Sequence, residues 1–267
     1  MTDIVLEPKV YIVGAGPGDP ELITVKGSRI LRSADVVLYA DSLVSEELIH
    51  SAKPGAEVLR SSGLDLEQQV ELMAAAVQAG KSVARVHTGD PSMYGAILEQ
   101  MSLLKLCGVR YEIVPGVSSV FASAAALGAE LTVPDLTQTV ILTRAEGRTP
   151  VPEREQLRKL AEHHCTVALF LSASLAGHVT GEFLAAGWSP DTPVAVVKRA
   201  TWPDQQILRT TVQNLEPDLR DAGITMHAMI LAGWALDPGL TDRDQHRSKL
   251  YDKAFTHGCR EGIGSGE

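Results

Sequence analysis

The stretch Val10-Tyr11-Ile12-Val13-Gly14-Ala15-Gly16-Pro17-Gly18-Asp19-Pro20 decides the fold. A short apolar run ends in three glycines spaced two apart, then an acid and a proline, and a helical apolar pattern follows. The run predicts a strand, so the loop lies at the carboxyl edge of a parallel sheet, where open α/β folds bind ligands. Glycines there let the backbone turn sharply and approach a bound molecule closely, because no Cβ intrudes. One reading is a dinucleotide fingerprint, which would make the chain an NAD(P)-dependent oxidoreductase. Two residues oppose it. Pro17 has no N–H to offer a phosphate, and Asp19 puts a carboxylate where the fingerprint wants a small residue and pyrophosphate wants no negative charge. A loop shaped for a different ligand fits better.

Working outward, Leu22 to Ser33 reads as a helix, and Asp35 to Ala40 as a buried strand that delivers Asp41 level with the glycine loop. Asp41 is either an N-cap for a helix over Ser45 to His50 or a group facing the ligand. Glu57 to Arg60 reads as a strand, Asp65 to Ala79 as an amphipathic helix stopped by Gly80, and Lys81 to His87 as a strand. The last of these ends in a second loop, Thr88-Gly89-Asp90-Pro91-Ser92-Met93-Tyr94-Gly95. Glycine and proline make its turn, and free N–H groups at the start of the helix over Ala96 to Cys107 suit a polar ligand group. A strand over Arg110 to Val114 then leads into Pro115-Gly116-Val117-Ser118-Ser119 and an alanine-rich helix to Leu127.

The second half starts afresh before Pro134. Strands are expected over Gln138 to Thr143, Thr166 to Leu171, Pro193 to Val197, Gln206 to Thr211 (an antiparallel neighbour) and Met229 to Trp234. Helices are expected over Glu153 to His163 and Leu175 to Ala186. The organisation is therefore an N-terminal α/β domain over 1–128, a C-terminal α/β domain over 129–240, and a polar tail over 241–267.

With 267 residues, each half can hold a core of its own. The net charge of −9 argues against a nucleic-acid or anionic-membrane surface. Cys107, Cys165 and Cys259 are scattered without ligand spacing, and adjacent His163 and His164 do not share a face, so no metal site is expected. The cysteine usage and the absence of a signal-like start or a membrane-length apolar run predict a cytoplasmic protein.

Gly14-Ala15-Gly16-Pro17-Gly18-Asp19-Pro20, Thr88-Gly89-Asp90-Pro91-Ser92-Met93-Tyr94-Gly95 and Val114-Pro115-Gly116-Val117-Ser118-Ser119 together resemble the signatures of the tetrapyrrole methylase family. The likeness runs from about Lys9 to Leu236. Tyr39-Ala40-Asp41-Ser42-Leu43-Val44 and Ser248 to Gly258 look most like the precorrin-4 or cobalt-precorrin-4 C11-methyltransferases of cobalamin biosynthesis, although Asp41 stands where many members are expected to carry glycine. The resemblance implies the class III methyltransferase fold, two α/β domains with the active-site cleft between them, a homodimer, and S-adenosylmethionine as co-substrate. By position, Pro17, Thr88, Gly89, Asp90, Ser118, Ser119, Leu171, Ala200 and Gly233 match cofactor-contacting loops, and the first loop (Gly14, Gly16, Gly18, Asp19) faces the tetrapyrrole. Other acceptors of the same fold are uroporphyrinogen III, precorrin-2, precorrin-3 and ribosomal RNA, the last opposed by the acidic charge. A protein that binds the donor without turnover is a further alternative.

Methyl transfer from a sulfonium is an in-line displacement that needs no protein nucleophile; alignment alone can supply about 7–11 kcal/mol. If a base takes up a proton, Asp41, Asp90 and Tyr94 are the candidates, each with a structural role as the competing reading. A polycarboxylate acceptor calls for cations. Lys26, Arg29, Arg85, Arg144, Lys198 and Arg199 lie near strand ends, and Arg199, beside an expected cofactor strand, is the first choice.

Overall fold

The computed structural model describes residues 4–242, 246, 248–261 and 263. The chain divides into two compact units, Met1–Ala122 with Arg199–Gln205, and Ser123–Lys198 with Gln206–Glu267. The division falls inside a helix, Ser119–Leu127, rather than after residue 128. The segment 199–205, read from sequence as part of the C-terminal half, clusters with the first unit.

The first unit is built on five parallel strands in the order β3-β2-β4-β1-β5. These are β1 (Val10–Gly14), β2 (Val36–Tyr39), β3 (Glu57–Arg60), β4 (Val83–His87) and β5 (Tyr111–Val114). Its helices are α1 (Val25–Ser33), α2 (Glu46–Ile49), α3 (Leu66–Gln78), α4 (Ile97–Leu106) and the first turn of α5 (Ser119–Leu127). Strands β1, β2 and β4 are buried along their whole length, as strands covered on both faces must be. The two-residue side-chain period sorts them into two cores. Tyr11, Val13, Val37, Tyr39, Ala84 and Val86 pack with Ile30 and Leu31 of α1. Val10, Ile12, Val36, Leu38 and Val83 pack with Val70 and Met73 of α3 and Leu104 of α4. Local signals set the helix starts. Thr24 Oγ1 accepts from Gly27 N at 3.1 Å, and Asp65 and Gln68 form a reciprocal capping box.

The second unit carries a mixed sheet in the order β6-β7-β10-β8-β9. Its strands are β6 (Val140–Arg144), β7 (Thr166–Phe170), β8 (Pro193–Lys198), β9 (Gln206–Thr211) and β10 (Ala228–Ala232), with helices α6 (Leu157–Ala161), α7 (Ala176–Ala185) and α8 (Leu215–Asp221). Only β6 and β7 run parallel; β8 and β9 pair antiparallel, as their alternation predicts. Phe183, Trp188, Leu169, Ile230 and Leu215 anchor the core, and the Trp188 ring lies 4.4 Å from that of Phe183 while its N–H donates to Ala161 O.

The single helix expected over Glu153 to His163 is two pieces: a 3-10 turn Glu153–Glu155 and then α6, interrupted by Gln156 with ψ 140°. Helix α8 escaped the periodicity reading because Glu216, Asp218 and Asp221 dominate it; Pro217 fits its first turn, where no N–H is needed. The described part of the tail forms a 3-10 turn, Lys249–Tyr251, tied to Arg260 through the Leu250 carbonyl. Among the described residues, no helix is long and apolar enough to cross a membrane.

Candidate active site

Strand order explains why three loops far apart in sequence meet. Strand β1 lies between β4 and β5, and the registers Gly14↔His87 and Val13↔Val114 bring the three strand ends level. Backbone then meets backbone with almost no room. A Cβ on Gly116 would fall 2.1 Å from Gly89 O and 2.8 Å from Gly14 Cα, and one on Gly14 would fall 2.6 Å from Gly116 Cα. Only glycine permits that approach. Beside this junction, Gly89 has φ +59° and faces Ser118 and Ser119, with Ser118 buried and its Oγ accepting from Val120 N.

Three donors of the first loop are spent on the protein itself. Ala15 N donates to His87 O, Gly16 N to Gly89 O, and Asp19 N to Thr201 Oγ1 at 2.9 Å. Gly89 N returns a bond of 2.8 Å to Gly16 O. With Pro17 lacking an N–H, these four positions have none to offer a pyrophosphate, and the dinucleotide reading loses the contacts that define it.

The acids singled out from sequence are clasps on the backbone. Asp19 Oδ1 accepts from Glu21 N at 2.8 Å and caps the 3-10 turn Pro20–Leu22. Asp90 Oδ1 accepts from Ser92 N at 2.8 Å while Oδ2 accepts from Gly116 N at 2.9 Å, tying the second loop to the third. Asp41 is not the N-cap of α2, a place taken by Ser45; instead it accepts from Ser62 N at 3.0 Å and Ser62 Oγ at 2.8 Å. Burial pushes the Asp41 carboxyl up, but the Ser62 bonds and the nearby Arg60 charge outweigh it and leave the group below the usual carboxylate range. Such an acid is a weak proton acceptor near neutrality. Tyr94 sits half-exposed in the turn after Asp90 with φ 56°.

The cations sort clearly. Arg85 is buried and donates to Gln69, Gln100 and the Leu38 and Val86 carbonyls, so it braces the sheet and does not meet a ligand. Arg144 holds the carbonyls of its own loop at Ala145, Thr149 and Pro150, and Lys26 pairs with Glu112. Arg199 is placed differently, in the segment that grips the first loop: its Nε donates to Asp204 at 2.7 Å and its guanidinium lies 3.9 Å from the Trp202 ring centroid. Ala200, next to it, is buried. In the second unit, Leu171 follows β7 with φ 53° and is largely exposed, while Gly233 follows β10 with φ 135°, where a Cβ would sit 3.2 Å from Thr166 Cα. Thr201, Trp202 and Ser62 were missed by sequence reasoning; their partners are remote in the chain, and no local pattern announces them.

The polar groups around the glycine junction, Thr88, Ser118, Ser119 and backbone amides, are neutral, and the Asp90 carboxylate is internally bonded. A neutral polar lining of this kind fits a zwitterionic sulfonium donor better than a polyphosphate. Among the described residues, no group of three or more His, Cys, Asp or Glu could hold a metal.

The model of the Tetrapyrrole (Corrin/Porphyrin) Methylases matches residues 9–216, and the chain belongs to that family. It is 66% identical over 257 residues, 96% of this chain and 99% of the other, to the cobalt-precorrin-4 C(11)-methyltransferase of Priestia megaterium. It is 49% identical over 253 residues to the enzyme of the same name from Methanocaldococcus jannaschii, covering 95% and 96% of the two chains. Among solved structures, a cobalt precorrin-4 methyltransferase of cobalamin biosynthesis matches with a TM-score of 0.85 and 67% identity, over 86% of this chain and 97% of that one. Uroporphyrin-III C-methyltransferase from Thermus thermophilus, complexed with S-adenosylhomocysteine, matches with a TM-score of 0.70 and 30% identity, over 86% and 93%.

Proposed function

We propose that this chain transfers the methyl group of S-adenosylmethionine to C11 of cobalt-precorrin-4, a step of cobalamin biosynthesis. The observation that carries the reading is the 66% identity, spanning nearly the whole of both chains, to an enzyme of that name. The same 66%, set against 47% to the precorrin-4 C(11)-methyltransferase of Pseudomonas aeruginosa, favours the cobalt-bearing substrate over metal-free precorrin-4. The uroporphyrinogen reading is weaker at 32% identity.

S-adenosylmethionine supplies an already activated methyl group, so the chain's task is to bind, align and exclude water. Pro17, Thr88, Gly89, Ser118, Ser119, Leu171, Ala200 and Gly233 would hold the donor through backbone and small polar groups. The first loop, with Gly14, Gly16, Gly18 and Asp19, would present its outer surface to the macrocycle. Arg199 would meet a carboxylate of the substrate. Asp41 and Asp90 would shape their loops rather than move protons, and Tyr94, whose phenol ordinarily keeps its proton near neutrality, would orient the acceptor by hydrogen bonding rather than serve as a base. A homodimer is the expected assembly, checked by light scattering.

The test is incubation with cobalt-precorrin-4 and S-adenosylmethionine carrying an isotopically labelled methyl group. The reading predicts a product gaining one methyl, located at C11 by NMR. Label at another ring carbon, or none transferred, would reject it.

A further inference from the structure

We infer that Trp202 is a positioning residue for this reaction, setting the conformation of the first glycine loop against which the tetrapyrrole is held; the inference rests on the function proposed above. The observations come from both sides of one contact. Trp202 Nε1 donates to Pro17 O at 2.9 Å, across 185 residues of sequence. An ideal Cβ on Gly18 would stand 2.3 Å from Trp202 Cδ1 and 2.4 Å from Nε1, so the indole occupies the room that Gly18 leaves open. Next to it, Thr201 Oγ1 accepts from Asp19 N. Three consecutive residues, Pro17, Gly18 and Asp19, are thus gripped by the two residues Thr201 and Trp202.

The gripping segment is itself held tightly. Arg199 and Thr201 have φ of 49° and 68°, a left-handed conformation that is disfavoured for any side chain and most of all for a β-branched one. They are kept there by Thr201 N donating to Gln205 Oε1 at 2.7 Å, by Trp202 N to Arg199 O and Gln205 N to Trp202 O at 3.0 Å each, and by the Arg199 guanidinium stacked on the indole and pinned by Asp204. Backbone strain over-determined by its surroundings clusters at ligand-binding and catalytic sites. The opposite flank of the loop is fixed by Gly16 on Gly89. A loop fixed on both flanks needs no ordering when the large acceptor arrives, and that preorganisation is what Trp202 supplies.

The test is a double-mutant cycle on Gly18→Ala and Trp202→Ala, read by steady-state methylation and by calorimetry with S-adenosylhomocysteine. Each single change should raise the tetrapyrrole KM or lower kcat about tenfold, while the S-adenosylhomocysteine Kd, reached only through Pro17 among the three gripped positions, should shift by no more than about threefold. Adding Gly18→Ala to Trp202→Ala should cost nothing more, because the ring that excludes a side chain at position 18 is gone. Parallel loss of donor and acceptor binding, unchanged kinetics, or fully additive effects would overturn the inference. If Trp202→Ala does not fold, Trp202→Phe carries the test: it keeps a ring against Gly18 and removes the N–H to Pro17, and native kinetics in that folded variant would overturn the inference. No turnover by the native chain would sink the proposed function and this inference together; turnover by the native chain with indifferent variants would sink the inference alone.

Discussion

His87 and Asp41 show how titratable groups at this sheet edge serve structure. The period of β4 turns His87 into the α3–α4 layer beside Arg85, where its Nε2 is buried without a partner among the described residues. Burial first, and the Arg85 charge second, outweigh an opposing effect of nearby Gln100 and lower its pKa from 6.5 to about 3. The folded imidazole is therefore neutral where the unfolded one takes a proton. Its contribution to stability is complete above pH 6.5 and is lost as pH falls through the window down to about 3. Replacement by an apolar side chain, His87→Leu, should flatten the loss of stability across that window by up to about 1.4 kcal/mol per pH unit, measured by urea unfolding at several pH values. An unchanged slope would show that His87 is not held neutral. Asp41, bonded twice by Ser62 and depressed in pKa, stays ionised through the neutral range. Asp41→Asn should leave the shape of the pH–rate profile above the carboxylate range unaltered; a shifted limb there would restore Asp41 as a base.

At the scale of elements, the glycine loops were legible in sequence and their meeting was not. Gly-x-Gly-Pro-Gly-Asp-Pro and Gly-Asp-Pro mark turns after apolar runs by their own chemistry, and Asp-Pro repeats the same clasp at Asp19, Asp90 and Asp237, each accepting from the N–H two residues on. That repetition reveals the acids as turn-formers, a signal available in the sequence but overshadowed by their place at strand ends. The convergence depends on β4 and β5 flanking β1, which pairing registers decide and local pattern does not. The Trp202 grip likewise joins positions 185 residues apart. The helices marked by caps and apolar stripes, α1 and α3, were readable, whereas acidic α8 and the broken Glu153–Ala161 segment were not, because their burial is decided by the sheet they cover. The convergence makes a sharp prediction. Gly116→Ala places a Cβ 2.1 Å from Gly89 O, with backbone on both sides unable to yield cheaply. S-adenosylhomocysteine affinity should fall at least about tenfold, while Gly181→Ala on helix α7, where a Cβ meets nothing within 4 Å, should leave it unchanged. Equal affinities in the two variants would mean that the junction does not shape the donor site.

For the whole molecule, a net charge of −9 is at odds with a polycarboxylate substrate unless cations are placed locally. Of the candidates, Arg85 is buried among sheet partners, Arg144 holds the carbonyls of its own loop and Lys26 pairs with Glu112, whereas Arg199, itself paired with Asp204, stands in the segment that grips the first loop. Arg199→Ala should weaken tetrapyrrole binding and leave S-adenosylhomocysteine binding nearly unchanged, by titration with each; equal loss of both would reject the assignment. Three glycine loops at one sheet edge are thus proposed to form a site for a sulfonium donor, with the amides of Ala15, Gly16 and Asp19 turned to internal bonds. Calorimetric titration of the purified chain with S-adenosylhomocysteine, beside an identical titration with NADH, tests that claim most directly. Micromolar binding of S-adenosylhomocysteine alone is the predicted result; binding of NADH, or of neither, would contradict it.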